Sequence, residues 1–248
     1  MSNNLDEYKL TIEPPQEVLD RLGLTIEQCR EKYKQYLDEE IITKTLHINE
    51  NVTLDLVWPL CDEDGVKIMF NDWMNYFDPM VGNIIKTGGV VLQAGGAAGL
   101  YPYIFSCFSK QVITFEPEYL NFKCLTMNTK SKVTKFNCGL SDKAETVGIC
   151  ISVNNIGMHK LQEGQGVQCI TIDSLGLKEL DLIQLDVEGY ELKVFKGAKK
   201  TIKKHKPVII CEVSEDREEI SEFLYSMGYE KIHEFGNAPP NYVFEYKK

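Results

Sequence analysis

The chain lacks the cysteine patterns that would mark a zinc module or a disulfide scaffold. Its eight cysteines contain no C-x-x-C pair, and several lie in apolar runs such as VIICEV. They are expected to be buried small hydrophobes in a reducing compartment. No stretch approaches the roughly 20 uninterrupted apolar residues of a membrane span. The opening MSNNLDEYKL is polar and acidic, unlike a secretory signal. The expected location is therefore cytoplasmic, with no membrane partner. Positive charge is scarce, with 27 Lys and Arg against 37 Asp and Glu for a formal net charge of −10. That balance disfavours a nucleic-acid partner, which calls for a basic footprint. Internal repeats and low-complexity linkers are also missing.

What is present fits one large α/β domain with a cap. The length of 248 residues suffices for a sizeable core. Residues 15–40 read as helical, with Thr25 as N-cap and Gln28 three positions on. From about Thr43 to Ile68 the pattern predicts short strands, with TLDLVW alternating and DEDG turning. Residues 72–86 are read as a helix. Residues 1–88 carry no recognisable chemistry and are assigned to an N-terminal helical/β cap or oligomerisation element, leaving 89–248 as the main domain.

From Val90 short apolar runs alternate with helices: GVVLQA, LYPYIFSCFSK, QVITFEP, EYLNFKCLTMNTK, VTKFNCGLSD. After a β-rich interruption come LDLIQLDVEG, a lysine-rich helix, PVIICEVSE and a further helix. This alternation predicts a doubly wound, mostly parallel sheet covered on both faces. The last two strands, YEKIHEF and NYVFEYK, are joined by GNAPP, too short for a parallel crossover, so they must form an antiparallel hairpin.

Two features point to a nucleoside ligand. Gln93-Ala94-Gly95-Gly96-Ala97-Ala98-Gly99 ends the first of these strands, where glycines allow a tight turn and close backbone approach. Glu116 ends the next strand, 21 positions after Gly95, where a carboxylate can accept both ribose hydroxyls of an adenosine. NAD and S-adenosylmethionine both fit this pair. The glycines run G-G-x-x-G, however, where a dinucleotide site wants G-x-G-x-x-G.

VVLQAGGAAGLYPY, TFEPEYLNFKCL, FNCGLSD, ITIDSL, LIQLDVEGYELKVFKGA and PVIICEVSE, in that order, resemble the FkbM family of methyltransferases over roughly residues 89–215. The resemblance implies a class I methyltransferase (Rossmann-like) fold with a seven-stranded sheet. It also implies S-adenosylmethionine as cofactor and O-methylation of a sugar, glycan or other small molecule. By position, Gly95, Gly96 and Gly99 would wrap the methionine part, Glu116 would hold the ribose, and Gly139 and Leu140 would lie by the adenine. Asp186 would face the methionine amino group or the transfer site. Family members usually carry an acid where this chain has Gln93, whose carbonyl still accepts a hydrogen bond.

An aliphatic hydroxyl needs a base within reach for transfer. Asp186 and Glu188 end one expected strand and Glu212 its neighbour, so these carboxylates are candidates to converge at the crevice mouth. Their alternatives are helix capping for Asp186 or Glu188 and a solvated loop charge for Glu212. Converging carboxylates also suit Mg²⁺, but no further ligand is identifiable and no metal is assigned. His159, in Asn154-Asn155-Ile156-Gly157-Met158-His159, is a further base candidate if its loop covers the crevice, and otherwise a surface histidine. Lys196, Lys199, Lys200, Lys203 and Lys204 share a helical face, read as solvated. Competing functions are a nucleic-acid or protein methyltransferase and a non-catalytic nucleotide-binding module. Against the first stands the absence of an Asn/Asp-Pro-Pro-Tyr motif.

Overall fold

The computed structural model describes residues 41–49, 52–60, 62, 88–152, 155–213, 217–236 and 239–247, with positions 25, 27, 28 and 31 ahead of them. At that front end Thr25 N donates to Gln28 Oε1 at 2.8 Å and Gln28 N to Thr25 Oγ1 at 3.2 Å. This is the reciprocal capping pair expected of Thr25 and Gln28. The rest of the helix expected at 15–40, the one at 72–86 and most of the DEDG turn lie outside the described residues.

Strands β1 (Ile41–Asn49) and β2 (Val52–Pro59) form an antiparallel hairpin. The main sheet contains β3 (Val90–Ala94), β4 (Gln111–Phe115), β5 (Val133–Phe136), β9 (Leu182–Leu185), β10 (Val208–Glu212), β11 (Tyr229–Phe235) and β12 (Asn241–Tyr246). Its order is β11-β12-β10-β9-β3-β4-β5. The four pairings from β10 to β5 are parallel, whereas β12 runs antiparallel to both β10 and β11. The hairpin read from GNAPP is therefore present at one edge, with the last strand slotted inside it. A third sheet joins β6 (Gly139–Leu140), β8 (Lys160–Ile170) and β7 (Glu145–Cys150).

The strands read as continuous apolar runs because both faces are covered. Val90, Leu92 and Ala94 of β3 join one cluster with residues of three helices: α3 (Glu191–Lys196), α4 (Lys199–His205) and α5 (Arg217–Ser226). Val91 faces the other way, against Phe105 of α1 (Leu100–Phe108). Beside α1 lies α2 (Tyr119–Asn128). The β2 strand docks there through Asn128, whose Oδ1 accepts from Val57 N and whose Nδ2 donates to Val57 O and Ala98 O, each at 2.7 Å. Trp58 and Leu56 then pack with Leu100, Ile104, Leu120 and Ile156.

Three expectations need adjusting. The stretch read as one strand from Val133 to Asp142 divides, β5 staying in the main sheet and β6 leaving for the third. The lysine-rich helix is two helices, broken at Gly197-Ala198. A Cβ on Gly197 would meet the Ser141 carbonyl oxygen at 2.1 Å, so glycine is required by that close approach. The five lysines are all exposed, as read. Of the described cysteines, Cys124, Cys169 and Cys211 are buried, but Cys107 is exposed.

Candidate active site

The carboxyl ends of β3, β4, β9 and β10 open on one cavity of about 440 Å³. Open α/β sheets bind ligands at this edge, because helices cover the faces and only the loops leave room. Of the residues expected there, Gly95, Glu116, Gly139, Leu140, His159, Asp186, Glu188 and Glu212 line it.

Gln93, Gly96 and Gly99 do not line the cavity. Gln93 is fully buried, accepting from Thr114 Oγ1 and donating from Nε2 to Gly95 O at 2.8 Å. The alternation that points Leu92 to one core points Gln93 to the other, beside its register partner Thr114. It therefore holds the turn and does not reach the cavity. Gly99 is required by packing, since its Cβ would meet Leu125 Cα at 2.8 Å and its φ is +95°, while a Cβ on Gly96 would crowd Leu125 Cδ1 at 2.4 Å. Gly95 faces the cavity but is set by the neighbouring strand, since its Cβ would fall 1.7 Å from the Asp186 carbonyl oxygen.

Glu116 is 4% exposed. Its Oε2 accepts from Ala97 N and its Oε1 from Glu118 N, both at 2.8 Å. Burial, with the Glu118 charge adding to it, pushes its carboxyl up to about 8 despite those donors. Glu118 caps α2 through Asn121 N at 2.7 Å.

Asp186 and Glu212 face each other from adjacent strands, and with Glu188 they present oxygens within 4.8 Å of one another. Burial raises both Asp186 and Glu212, Glu212 more strongly because Asp186 and Glu188 add their charge. Two buried carboxyls this close compete for charge, so one of the pair holds its proton more tightly than the other. Glu188 sits at φ 54°, a left-handed conformation a non-glycine residue adopts only when its surroundings impose it.

Glu191 braces it, a residue inside LIQLDVEGYELKVFKGA with no role of its own in the sequence pattern. Buried to 2% exposure, it accepts Val187 N at 2.9 Å and Gly189 N at 3.0 Å, straddling Glu188. No side chain caps α3, so the capping role open for Asp186 or Glu188 is taken by neither, and Glu191 instead braces the loop ahead of the helix. Burial pushes its carboxyl up to about 7.

His159 lines the cavity, and its Nδ1 accepts from Ser152 N at 3.0 Å. A backbone N–H can only donate, so the neutral ring carries its proton on Nε2 and has no lone pair left for a hydroxyl proton. Burial pushes its pKa down to about 3. As placed, His159 presents a donor to the cavity, and of its two readings the base candidate lacks a free lone pair.

Trp58 and Asp62, from the segment assigned no chemistry, also line the cavity. Asp62 accepts from Trp58 Nε1 at 2.6 Å and from Ile156 N at 3.1 Å. It thereby ties the turn at Ile156–Met158 to the cavity wall. Among the described lining residues there is no Lys or Arg.

This donor set fits S-adenosylmethionine. Glu116 suits a diol, Phe115, Cys138 and Leu140 offer apolar surface for a base, and Asp186 suits an ammonium. The strand order and the site at the strand tips are those of a class I methyltransferase. Residues 93–231 match the Methyltransferase FkbM domain, and the chain belongs to that family. Among solved structures it is similar to methyltransferase FkbM from Methylobacillus flagellatus KT, at 20% identity and TM-score 0.48, over 63% of this chain and 43% of that one. It is also similar to the ribosomal protein L11 methylase of Lactobacillus delbrueckii subsp. bulgaricus (10% identity, TM-score 0.46, 72% and 81% of the two chains). A third is an rRNA methylase from Streptococcus thermophilus (10%, 0.42, 68% and 95%). The chain thus spans less than half the length of the first of these. No curated protein matches it. No helix among the described residues is long and apolar enough to cross a membrane.

Proposed function

We propose that the protein is an S-adenosylmethionine-dependent O-methyltransferase that acts on a hydroxyl of a sugar, glycan or other small molecule in the cytoplasm. One observation carries it: Asp186, Glu188 and Glu212 converge in the same cavity that Glu116 and Gly139 line. Bound in this cavity, the cofactor would supply a methyl group on a sulfonium, with the C–S electron pair leaving on sulfur as oxygen takes the methyl. Glu116 would orient the nucleoside and Asp186 would meet the methionine ammonium. The Asp186–Glu212 pair keeps a proton on one carboxyl, which leaves the other as a carboxylate to accept the hydroxyl proton and pass it to solvent.

The acceptor is uncharged or cationic under this proposal. With no Lys or Arg in the described lining and several carboxylates in it, a phosphate would find repulsion and no neutralising partner. That supports a glycan or small molecule over a nucleic acid. The test combines calorimetry with S-adenosylhomocysteine and NAD with a transfer assay. The assay offers labelled cofactor to separate pools of glycans, small molecules, RNA, DNA and protein. S-adenosylhomocysteine should bind, NAD should not, and label should enter the glycan or small-molecule pool. Binding of NAD, or label confined to nucleic acid or protein, overturns the proposal.

A further inference from the structure

Asp186, Glu188 and Glu212 each bring a carboxylate oxygen to the cavity, all within 4.8 Å of one another. Acids alone make only a charged surface, but a fourth group joins these. Asn241 opens β12 and stands directly opposite Glu212 in the antiparallel ladder. Residues opposed in this way carry their side chains on the same face of the sheet, so the Asn241 amide lies beside the Glu212 carboxyl. Asn241 lines the cavity with the three acids, is 4% exposed, and its side chain makes no hydrogen bond among the described residues. Buried amides are nearly always paired, because an unpaired one has given up water without compensation. Gln184 and Asn121 also leave amide atoms unpaired, but those atoms are sealed off, whereas the Asn241 amide keeps open space beside it, and that space is the cavity.

The chemistry of the four groups selects the ligand. All of them offer oxygen, three carry negative charge when ionised, and no Lys or Arg stands among the described lining residues to neutralise them. Such a set suits a hard divalent cation and neither a soft metal nor an anion. The spacing agrees. Oxygens on opposite sides of one ion lie two bond lengths apart, about 4.0–4.2 Å for Mg²⁺ and about 4.6–5.2 Å for Ca²⁺. We propose that Asp186, Glu188, Glu212 and Asn241 Oδ1 form a divalent-cation site at the end of the cavity away from Glu116. Asn241 is the further ligand that the sequence leaves unidentified, since the Pro239-Pro240-Asn241 connection has no metal-binding pattern. Ligating carboxyls must be ionised, so the ion would take the place of the proton kept by the Asp186–Glu212 pair. Asp186 has two oxygens and can serve the ion with one and an ammonium with the other. Four protein ligands leave open positions in a six- to eight-coordinate shell for oxygens of an acceptor.

Titration calorimetry on the full chain, stripped with a chelator and free of cofactor, tests the site with Mg²⁺, Mn²⁺ and Ca²⁺ separately. A single ion per chain should bind with a Kd below about 1 mM, the weak end of oxygen-ligand sites. Asn241→Asp adds a carboxylate and should tighten binding about tenfold, whereas Glu212→Gln should weaken it by about the same factor. Glu179→Gln, ahead of β9 at the opposite end of that strand, should leave binding unchanged. In the wild-type chain Mn²⁺ should broaden the amide resonances of Val187 and Tyr242 first, a check that needs no variant to fold. Absence of binding by all three ions overturns the inference. So does binding that neither Asn241→Asp nor Glu212→Gln alters, or Mn²⁺ broadening centred elsewhere. The titration contains no S-adenosylmethionine, so failure of the cation site leaves the cofactor reading standing, and the reverse holds as well.

Discussion

Asp186 and Glu212 stand at the tips of two adjacent parallel strands and bring carboxyl oxygens within 4.8 Å of each other across the gap. The register that pairs Leu185 with Cys211 brings the next residue of each strand level at the cavity mouth. Two buried carboxyls this close compete for charge, and the proton that one of them keeps makes it a donor and leaves the other a base.

The first consequence concerns rate. Glu212→Gln and Glu188→Gln each remove a carboxylate while nearly preserving shape. If the carboxylate cluster accepts the hydroxyl proton, the variant lacking the true base should lose about 10²–10⁴-fold in kcat. Its affinity for S-adenosylhomocysteine should be almost unchanged, the sign of an interaction used mainly in the transition state. Full activity in both variants on an identified acceptor would exclude both as the base and leave the reaction to Asp186 or to alignment alone.

Glu191→Gln should slow the reaction without touching substrate. A carboxylate accepts both Val187 N and Gly189 N, whereas an amide offers one acceptor and turns a donor toward the other N–H. The left-handed turn at Glu188 then loosens, and misplacement by about 1 Å costs on the order of 10²-fold in kcat. Cofactor affinity should move far less, so calorimetry beside single-turnover kinetics separates positioning from general unfolding.

Stability should fall as pH rises from mildly acid to mildly alkaline. Glu116 moves from 4.5 to about 8 on folding and Glu191 from 4.5 to about 7. Asp186 and Glu212 are raised as well. A carboxyl raised by folding binds its proton more tightly in the native state. Its contribution is fully present below the unfolded value and is lost as pH climbs through the folded one. Unfolding temperatures should therefore drop between about pH 5 and pH 8, with a shallower slope in Glu116→Gln. A flat or rising profile for the native chain would contradict the burial of these groups.

Asp62→Ala should destabilise the chain although it lies outside the central sheet. It strips the acceptor from Trp58 Nε1 and from Ile156 N, and each buried donor left unpaired costs about 1–3 kcal/mol. Denaturant titration should show the loss. Hydrogen exchange should show the Ile156 amide opening first.

Much of the scaffold was legible because it depends on local pattern. Apolar runs mark strands buried on both faces, GNAPP admits only a hairpin, and Thr25 with Gln28 writes a capping pair. The cavity lining was legible where a strand tip defines it, as at Glu116, Asp186 and Glu212. Elsewhere the sequence misled. Gln93 is read as a ligand residue from its place in the glycine turn, but strand alternation sends it into the core against Thr114. Glu191 looks like any acid at a helix start, where the dipole would welcome it. His159 looks like a base until Ser152 N takes its lone pair.

The amino-acid sequence by itself determined the order of strands and helices, the closing hairpin and the acids at the strand tips. Each of these follows from period, loop length or residue type within a few neighbours. Only the tertiary structure decided which groups meet. Asp62 reaches Ile156 across 94 positions and Val57 reaches Asn128 across 71, pairs no local pattern encodes. Sheet register likewise set Asp186 against Glu212, and a carboxyl keeps or surrenders its proton according to what burial and that neighbour allow.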